Sequence, residues 1–117
     1  MNNDFEKTWN DYTATWKLET KEEKEKAFES CLDKKCVYND PLVSAEGWHD
    51  LSEYMVEFHQ QVPGGYFQTH YFLAHNQQSI AKWEMKMGDG TTIGEGVSYG
   101  RYSESGKLIA MTGFFES

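Results

Sequence analysis

The sequence changes its hydrophobic periodicity at Pro63-Gly64-Gly65, and this change sets the fold class. Over most of residues 5–61, apolar side chains recur at three- and four-residue intervals, as on the buried face of a helix. From residue 66 onward, apolar and polar side chains alternate, as in a strand with one buried face. Because proline and paired glycines end a helix, the break predicts an α+β chain with helices first and a sheet afterwards.

Three helices are predicted before the break. They begin near Asp4, at residue 21 and near Trp48, and the second extends to about residue 35 while the third ends at Gln61. The first helix carries an unbroken stripe of aromatic rings: Phe5, Trp9, Tyr12 and Trp16. Such a stripe is typical of a helix that packs on a core or on a cavity.

An antiparallel meander of four long strands is predicted after the break. The strands span residues 66–75, 80–87, 91–102 and 107–115, and a short strand at 36–40 precedes the third helix. In the third long strand, small residues fall on one face: Gly94, Gly96, Ser98 and Gly100. Small residues on one face let a sheet curl strongly or leave a hollow above it. A curved sheet closed by the three helices is therefore expected.

Composition and charge restrict the partners and the compartment. The 117 residues fit one domain, 1–117, and the net charge of −8 argues against nucleic acid and anionic membranes. No apolar run approaches the ~20 residues of a membrane span, and no signal-peptide pattern precedes the first helix. Cys31 and Cys36 are expected to be buried and reduced, which favours a cytoplasmic protein. No Cys/His cluster has ligand spacing, so neither a metal nor another cofactor is predicted.

Asp40 is the acid best placed for chemistry. It ends the apolar run Val37-Tyr38 and is followed by Pro41, which prevents helical continuation. Asp before Pro is common in turns. The alternative is that the strand carries the carboxylate to the mouth of a cavity, where it acts as a general base. Both interpretations remain open at this point.

Several short motifs, in their order and spacing, resemble a known superfamily. They are two helices followed by VYNDPL, a G-W helix start, PGGYF, KWEM-K-GDG, GEGVSYG and SGKLIAMTGFF, and the match extends over nearly the whole chain. The chain resembles the nuclear transport factor 2-like superfamily, and within it the SnoaL-like polyketide cyclases and the ketosteroid-isomerase-like proteins. This resemblance implies a cone of curved antiparallel sheet and three helices, a small-molecule pocket inside, and frequent dimerisation. Because this fold hosts many activities, function has to be argued from the pocket.

The resemblance also implies catalytic positions. Asp40 matches the general base of the ketosteroid isomerases, and Tyr12 matches a hydrogen-bond donor to the enolate oxygen, although Trp16 competes for that position. The second donor, a protonated aspartic acid in those enzymes, corresponds to Ser98 here. Since a serine hydroxyl is a weaker donor, and losing one such donor costs on the order of 10²–10³ in rate, steroid isomerisation is not expected.

An aromatic and apolar cavity is expected to bind the ligand. Its predicted lining comprises Trp16, Phe58, Trp83, Met85, Ser98, Met111 and Phe115. Such a lining suits a small apolar or aromatic compound, ring-shaped or polyketide-like. His70 lies within a strand and is a third catalytic candidate, because an Asp40–His70 pair would suit dehydration or cyclisation. The competing interpretation is that His70 is structural.

Two functions and one assembly follow from these observations. The first function is an enzyme, an isomerase, cyclase or dehydratase acting on a carbonyl compound with Asp40 as the base. The second is a non-catalytic ligand-binding or dimerisation module. A homodimer is expected through the face that carries Ile93, Val97 and Tyr99 beside the charges of Glu95 and Arg101.

Overall fold

A curved six-stranded sheet and three helices form the fold in the computed structural model, which describes residues 4–116. The helices are α1 (Phe5–Thr15), α2 (Lys21–Phe28) and α3 (Gly47–Gln61). The strands are β1 (Leu32–Asp40), β2 (Val43–Glu46), β3 (Tyr66–His75), β4 (Gln78–Lys86), β5 (Thr92–Tyr102) and β6 (Leu108–Phe114). Their order in the sheet is β2-β1-β6-β5-β4-β3. The predicted α+β class, the three helices and the antiparallel meander β3 to β6 are confirmed.

The region between α2 and α3 corrects the prediction in four ways. Helix α2 ends at Phe28 rather than near residue 35, β1 begins at Leu32, and β2 was not expected. In addition, β1 runs parallel to β6, so the sheet is mixed rather than wholly antiparallel. The charged segment 29–35 looks helical in isolation, but Leu32 is buried and pairs with Leu108. Tertiary packing therefore overrides local helix propensity there.

The small residues of β5 lie on the face that the helices cover. Residues that pair across antiparallel strands share a face, and Gly96 pairs with Trp83, Gly94 with Met85. The concave face therefore holds large side chains of β4 opposite glycines of β5. The opposite face of the sheet, called the outer face below, carries the alternate residues of the same strands.

Two side chains fix the carboxyl end of α1. Lys24 is completely buried, and its Nζ donates to the carbonyl oxygens of Thr15 at 2.8 Å and Trp16 at 3.3 Å. Nε2 of His59 in α3 lies 2.6 Å from the same Trp16 carbonyl. Burial lowers the pKa of Lys24 to about 8, and nearby Glu23 partly offsets this. These contacts hold the last turn of α1, and with it Trp16, to α2 and α3.

The two cysteines are buried and not joined by a disulfide. Burial is the main cause that raises the pKa of Cys31 to about 12 and that of Cys36 to about 11. Both thiols are therefore protonated at neutral pH and poor nucleophiles. Within residues 4–116, none of the helices has the length and apolar character needed to cross a bilayer.

Candidate functional site

A cavity opens between the helices and the concave face of the sheet. Together with the open groove that continues from it around the rim of the sheet, it encloses about 1320 Å³. Nine of the ten residues predicted for the site lie in this lining: Tyr12, Trp16, Asp40, Phe58, His70, Trp83, Met85, Ser98 and Phe115. Their roles remain predictions, and His70 lies in the groove at the rim rather than in the chamber with Asp40.

Met111 is the exception. It is 1% exposed and belongs to the hydrophobic core rather than to the cavity wall. The reason is its position along β6, where it pairs with Tyr38 on one side and Gly100 on the other. Gly113, two residues further along the same face, lines the cavity instead.

Asp40 lies on the cavity wall with every acceptor position of its carboxylate occupied. Oδ2 accepts from the hydroxyls of Tyr38 at 2.6 Å and Tyr54 at 2.9 Å. Oδ1 accepts from the backbone N–H groups of Leu42 at 2.8 Å and Val43 at 3.1 Å. The Asp40 side chain therefore stabilises the turn through Oδ1 and forms part of the cavity wall through Oδ2.

The two tyrosines are firmly held as donors to Asp40. Burial is the main cause that raises the pKa of both Tyr38 and Tyr54 far above the ordinary tyrosine value, and the adjacent carboxylate adds to the effect. Both hydroxyls therefore stay protonated across the physiological range. Burial likewise raises the pKa of Tyr12, which lines the cavity from α1. All three hydroxyls are thus neutral hydrogen-bonding groups.

Aromatic rings enclose this polar cluster. The Trp16 ring is the centre of the group, and its centroid lies 5.8 Å from Tyr38, 6.0 Å from Tyr54, 5.6 Å from Phe58 and 5.2 Å from Phe67. Most of these pairs are edge-to-face or tilted, which is the favoured arrangement of aromatic rings. The carboxylate is therefore placed beside a largely apolar, aromatic chamber.

Ser98 has a partner that the sequence did not suggest. The indole Nε1 of Trp83 donates to its Oγ at 2.9 Å. The Ser98 oxygen therefore acts as an acceptor for the protein, while its own proton can still point into the cavity. A Cβ placed on Gly113 would lie 3.8 Å from this Oγ and 3.6 Å from the Asp40 Cβ. Gly113 thus separates the serine from the carboxylate with little more than backbone.

His70 does not form the expected pair with Asp40. The β3–β4 register shifts between Thr69 and Tyr71, so His70 is the extra residue of a β-bulge. A bulge re-aims a side chain, and Nε2 of His70 lies 2.9 Å from a carboxylate oxygen of Glu84. His70 therefore lies at the outer rim of the groove, half-exposed, and bonds to a different acid.

Metal ligation is not indicated by the described part of the chain. Among residues 4–116, no three His, Cys, Asp or Glu side chains are grouped closely enough to hold an ion. Around Asp40 the chamber offers neutral hydroxyls and aromatic rings. The lining of the cavity and its groove also includes charged side chains: Glu57, Glu84, Glu95, Glu116 and Lys82.

The sequence reasoning missed Tyr38 and Tyr54. Tyr38 precedes Asp40 by two residues in β1, and alternation in a strand places both on one face, so a signal was present. Tyr54 belongs to the apolar stripe of α3, where a tyrosine is more often read as core. Its hydroxyl reaches Asp40 from across the chamber only because α3 packs against β1.

Comparison with known proteins places the fold. No family model matches the sequence, and no curated protein matches it significantly. Among solved structures, a SnoaL-like protein from Agrobacterium tumefaciens, provisionally assigned as an isomerase, is similar over 95% of this chain and 96% of its own, with a TM-score of 0.85 and 20% identity. TerC, co-crystallised with polyporic acid, is similar over 96% of this chain and 91% of its own (TM-score 0.76, 12% identity). A nuclear transport factor 2-like protein of unknown function from Cytophaga hutchinsonii is similar over 99% of this chain and 93% of its own (TM-score 0.73, 13% identity). The chain therefore has the nuclear transport factor 2-like fold that SnoaL-like proteins share, as the motifs predicted.

Proposed function

We propose that the protein binds a small, ring-shaped and largely apolar carbonyl compound in the cavity and transfers a proton of that compound to Asp40. The reaction class is that of an isomerase, a cyclase or a dehydratase. The observation that carries this proposal is the Asp40 carboxylate on the wall of the chamber, held by two tyrosine hydroxyls and surrounded by rings. A carboxylate in such surroundings is suited to general acid–base catalysis.

The number of converging polar groups favours an enzyme over a simple binder. Asp40, Tyr38, Tyr54, Tyr12 and Ser98 all line the same cavity. A module that only holds an apolar ligand needs few such groups, because each has to be desolvated. The comparisons support this proposal in part, since similar folds include a protein provisionally assigned as an isomerase and one co-crystallised with polyporic acid.

The first experiment measures binding. Polyporic acid and a neutral bicyclic ketone such as 2-tetralone serve as probes, and binding is followed by quenching of tryptophan fluorescence. The matched variant is Gly113→Ala, whose methyl group would meet Asp40 and Ser98 at ordinary contact distances of 3.6 and 3.8 Å. Since one added methyl in a fitted pocket costs roughly tenfold or more, its affinity should fall while its folding is preserved.

The second experiment measures proton transfer. Exchange of the hydrogens next to the carbonyl of the bound ketone for deuterium is followed by NMR in D₂O. Asp40→Asn removes the base but keeps an oxygen for the turn, so exchange should fall by roughly 10²–10⁴. Asp89→Asn is the matched control, because Asp89 also accepts a backbone N–H in a turn, from Thr91, but lies at an exposed hairpin. Ligand binding without any exchange above that of the buffer would leave the non-catalytic binder as the function.

A further inference from the structure

We propose that the polar end of the cavity takes a neutral hydroxyl group of the ligand, a phenol or an enol, as a hydrogen-bond donor to Tyr54, and that the proton reaches Asp40 through Tyr54. This inference rests on the proposed function and names the chemical class of its ligand. It also differs from the oxyanion-binding site that the resemblance implied for Tyr12 and Ser98.

The Asp40 carboxylate has no acceptor position left for a ligand. Two carboxylate oxygens offer about four acceptor positions. Here Tyr38 and Tyr54 take those of Oδ2, and the N–H groups of Leu42 and Val43 take those of Oδ1. A ligand proton therefore cannot reach Asp40 directly unless one of these bonds breaks.

Both tyrosine hydroxyls use their proton in the hydrogen bond to Asp40. A tyrosine hydroxyl has one proton to donate and lone pairs that accept. Because both tyrosines donate to Asp40, their oxygens present only acceptors to the cavity. Both tyrosines line the cavity, but Tyr38 is only 8% exposed whereas Tyr54 is partly buried and more accessible. Tyr54 is thus the oxygen that a ligand hydroxyl meets first.

Tyr54 can pass a proton from the ligand to Asp40. The ligand O–H bond breaks as its proton moves to Oη of Tyr54, and the former Tyr54 proton moves to Oδ2 of Asp40. Asp40 ends as a carboxylic acid, Tyr54 is unchanged, and the electron pair stays on the ligand oxygen. For an enol, that pair forms the carbonyl while the electrons of the C=C bond take a proton from a solvent water onto the neighbouring carbon. The hydroxide that remains takes the proton of Asp40, which restores the carboxylate. The exchange next to a carbonyl considered above passes through this same enol.

The negative charge of Asp40 favours a neutral ligand at Tyr54. A phenolate or enolate bound at Tyr54 would lie close to the ionised Asp40, and like charges at short range disfavour each other. A neutral hydroxyl has no such cost and gains an acceptor. The resting cavity should therefore select the protonated form of an acidic hydroxyl compound, whereas an oxyanion hole would select the ionised form.

The test uses 4-nitrophenol, whose neutral and ionised forms differ in visible absorbance. We expect the pKa of the bound probe to rise by about one unit or more, which is a tenfold or greater preference for the neutral form. Asp40→Asn should abolish this rise. Tyr54→Phe should weaken binding of neutral 4-nitrophenol several-fold but leave that of 4-nitroanisole, which has no hydroxyl proton, unchanged. Tyr71→Phe is the matched control, because Tyr71 lies on the outer face of the sheet.

Three contrary outcomes can be told apart. A lowered pKa of the bound phenol would show an oxyanion hole and overturn this inference, while ring binding and exchange of the ketone would stand. This inference alone would also be overturned if the protein binds 4-nitroanisole and 2-tetralone as tightly as 4-nitrophenol. The same holds if Tyr54→Phe weakens the binding of 4-nitrophenol and of 4-nitroanisole equally. If none of the ring probes binds the wild-type protein, the proposed function fails together with this inference.

Discussion

The Trp83 indole occupies the space where Gly96 has no side chain. A Cβ on Gly96 would lie 2.5 and 2.7 Å from two carbons of that ring and 2.6 Å from the carbonyl oxygen of Phe114. Trp83 also donates to Ser98, which follows Gly96 by two residues on β5. The position of this ring on the cavity wall therefore depends on a glycine beneath it.

Gly96→Ala should consequently destabilise the protein and displace the indole. Overpacking of this kind typically costs about 1–3 kcal/mol, and the loss is read from the free energy of unfolding in urea. Gly94→Ala is the control, because its Cβ would meet only the flexible end of Met85, at 3.3 Å. We expect the control to change stability by less than about 0.5 kcal/mol. Equal stability of the two variants would show that Trp83 does not need this contact.

His70→Gln should leave proton transfer unchanged within about twofold, since His70 bonds to Glu84 at the rim and not to Asp40. The measurement is the exchange assay with the same ketone. A fall comparable with that of Asp40→Asn would restore the Asp–His pair that the sequence suggested. Stability should change little too, because exposed ion pairs contribute about 0–1 kcal/mol.

We expect a homodimer through the outer face of the sheet. Large apolar side chains are exposed there: Tyr71, Leu73, Ile80, Ile93, Val97 and Phe114. A patch of this kind is unusual on a monomer and typical of an interface. Among the charged residues of this face, Nη1 of Arg101 donates to the Tyr99 hydroxyl, and Lys86 pairs with Glu84 at 3.2 Å.

Ile80→Glu should therefore dissociate the dimer in light scattering. Leu42→Glu is the matched control, since Leu42 is 67% exposed but lies in the turn before β2 rather than on the outer face. It should remain dimeric. A wild-type protein that is monomeric at high concentration would end this expectation.

Alkaline pH should act on stability in two opposing directions. The buried cysteines act in one direction together with the buried tyrosines, whose pKa values are also raised, and Lys24 acts in the other. The raised pKa values of Cys36, about 11, and Cys31, about 12, stabilise the fold below pH 9, and this contribution is lost as the pH rises from 9 through the folded values. The lowered pKa of Lys24, about 8, has the opposite effect. Its contribution is complete above 10.5 and is lost as the pH falls through 8, so stability from Lys24 grows between pH 8 and 10.5.

In the wild-type protein the rising contribution of Lys24 therefore offsets most of the loss between pH 8 and 10. Lys24→Met removes this contribution, so over the same range its free energy of unfolding should fall by about 2 kcal/mol more than that of the wild-type protein. Urea unfolding at pH 8, 9 and 10 measures both curves. Parallel curves would mean that Lys24 keeps an ordinary pKa in the folded state.

Periodicity and turn residues were sufficient to predict most of the fold. The Pro63-Gly64-Gly65 break and the hairpin turns predicted α3 and the meander, because those signals are local. Segment 29–35 was wrongly predicted to continue α2, because its charges resemble the exposed face of a helix. Only the long-range pairing of Leu32 with Leu108 makes its second half a strand. The same limit applies to the site: Asp40 stood out beside Pro41, whereas the Tyr54 hydroxyl becomes its partner only through the packing of α3 on β1.

The parallel pairing of β1 with β6 has a consequence for the order in which the chain folds. Tyr38 and Met111 are partners across this pair, so more than seventy residues must be placed before the ladder can close. Contacts between such distant parts of a chain slow folding, since loop entropy is lost before they form. During synthesis, α1, α2 and the first strands of the meander can begin to collapse while β1, already paired with β2, still lacks β6. The wall that holds Asp40 against Gly113 is then among the last parts to be completed, and cavity binding should be the slowest property to return in a refolding experiment.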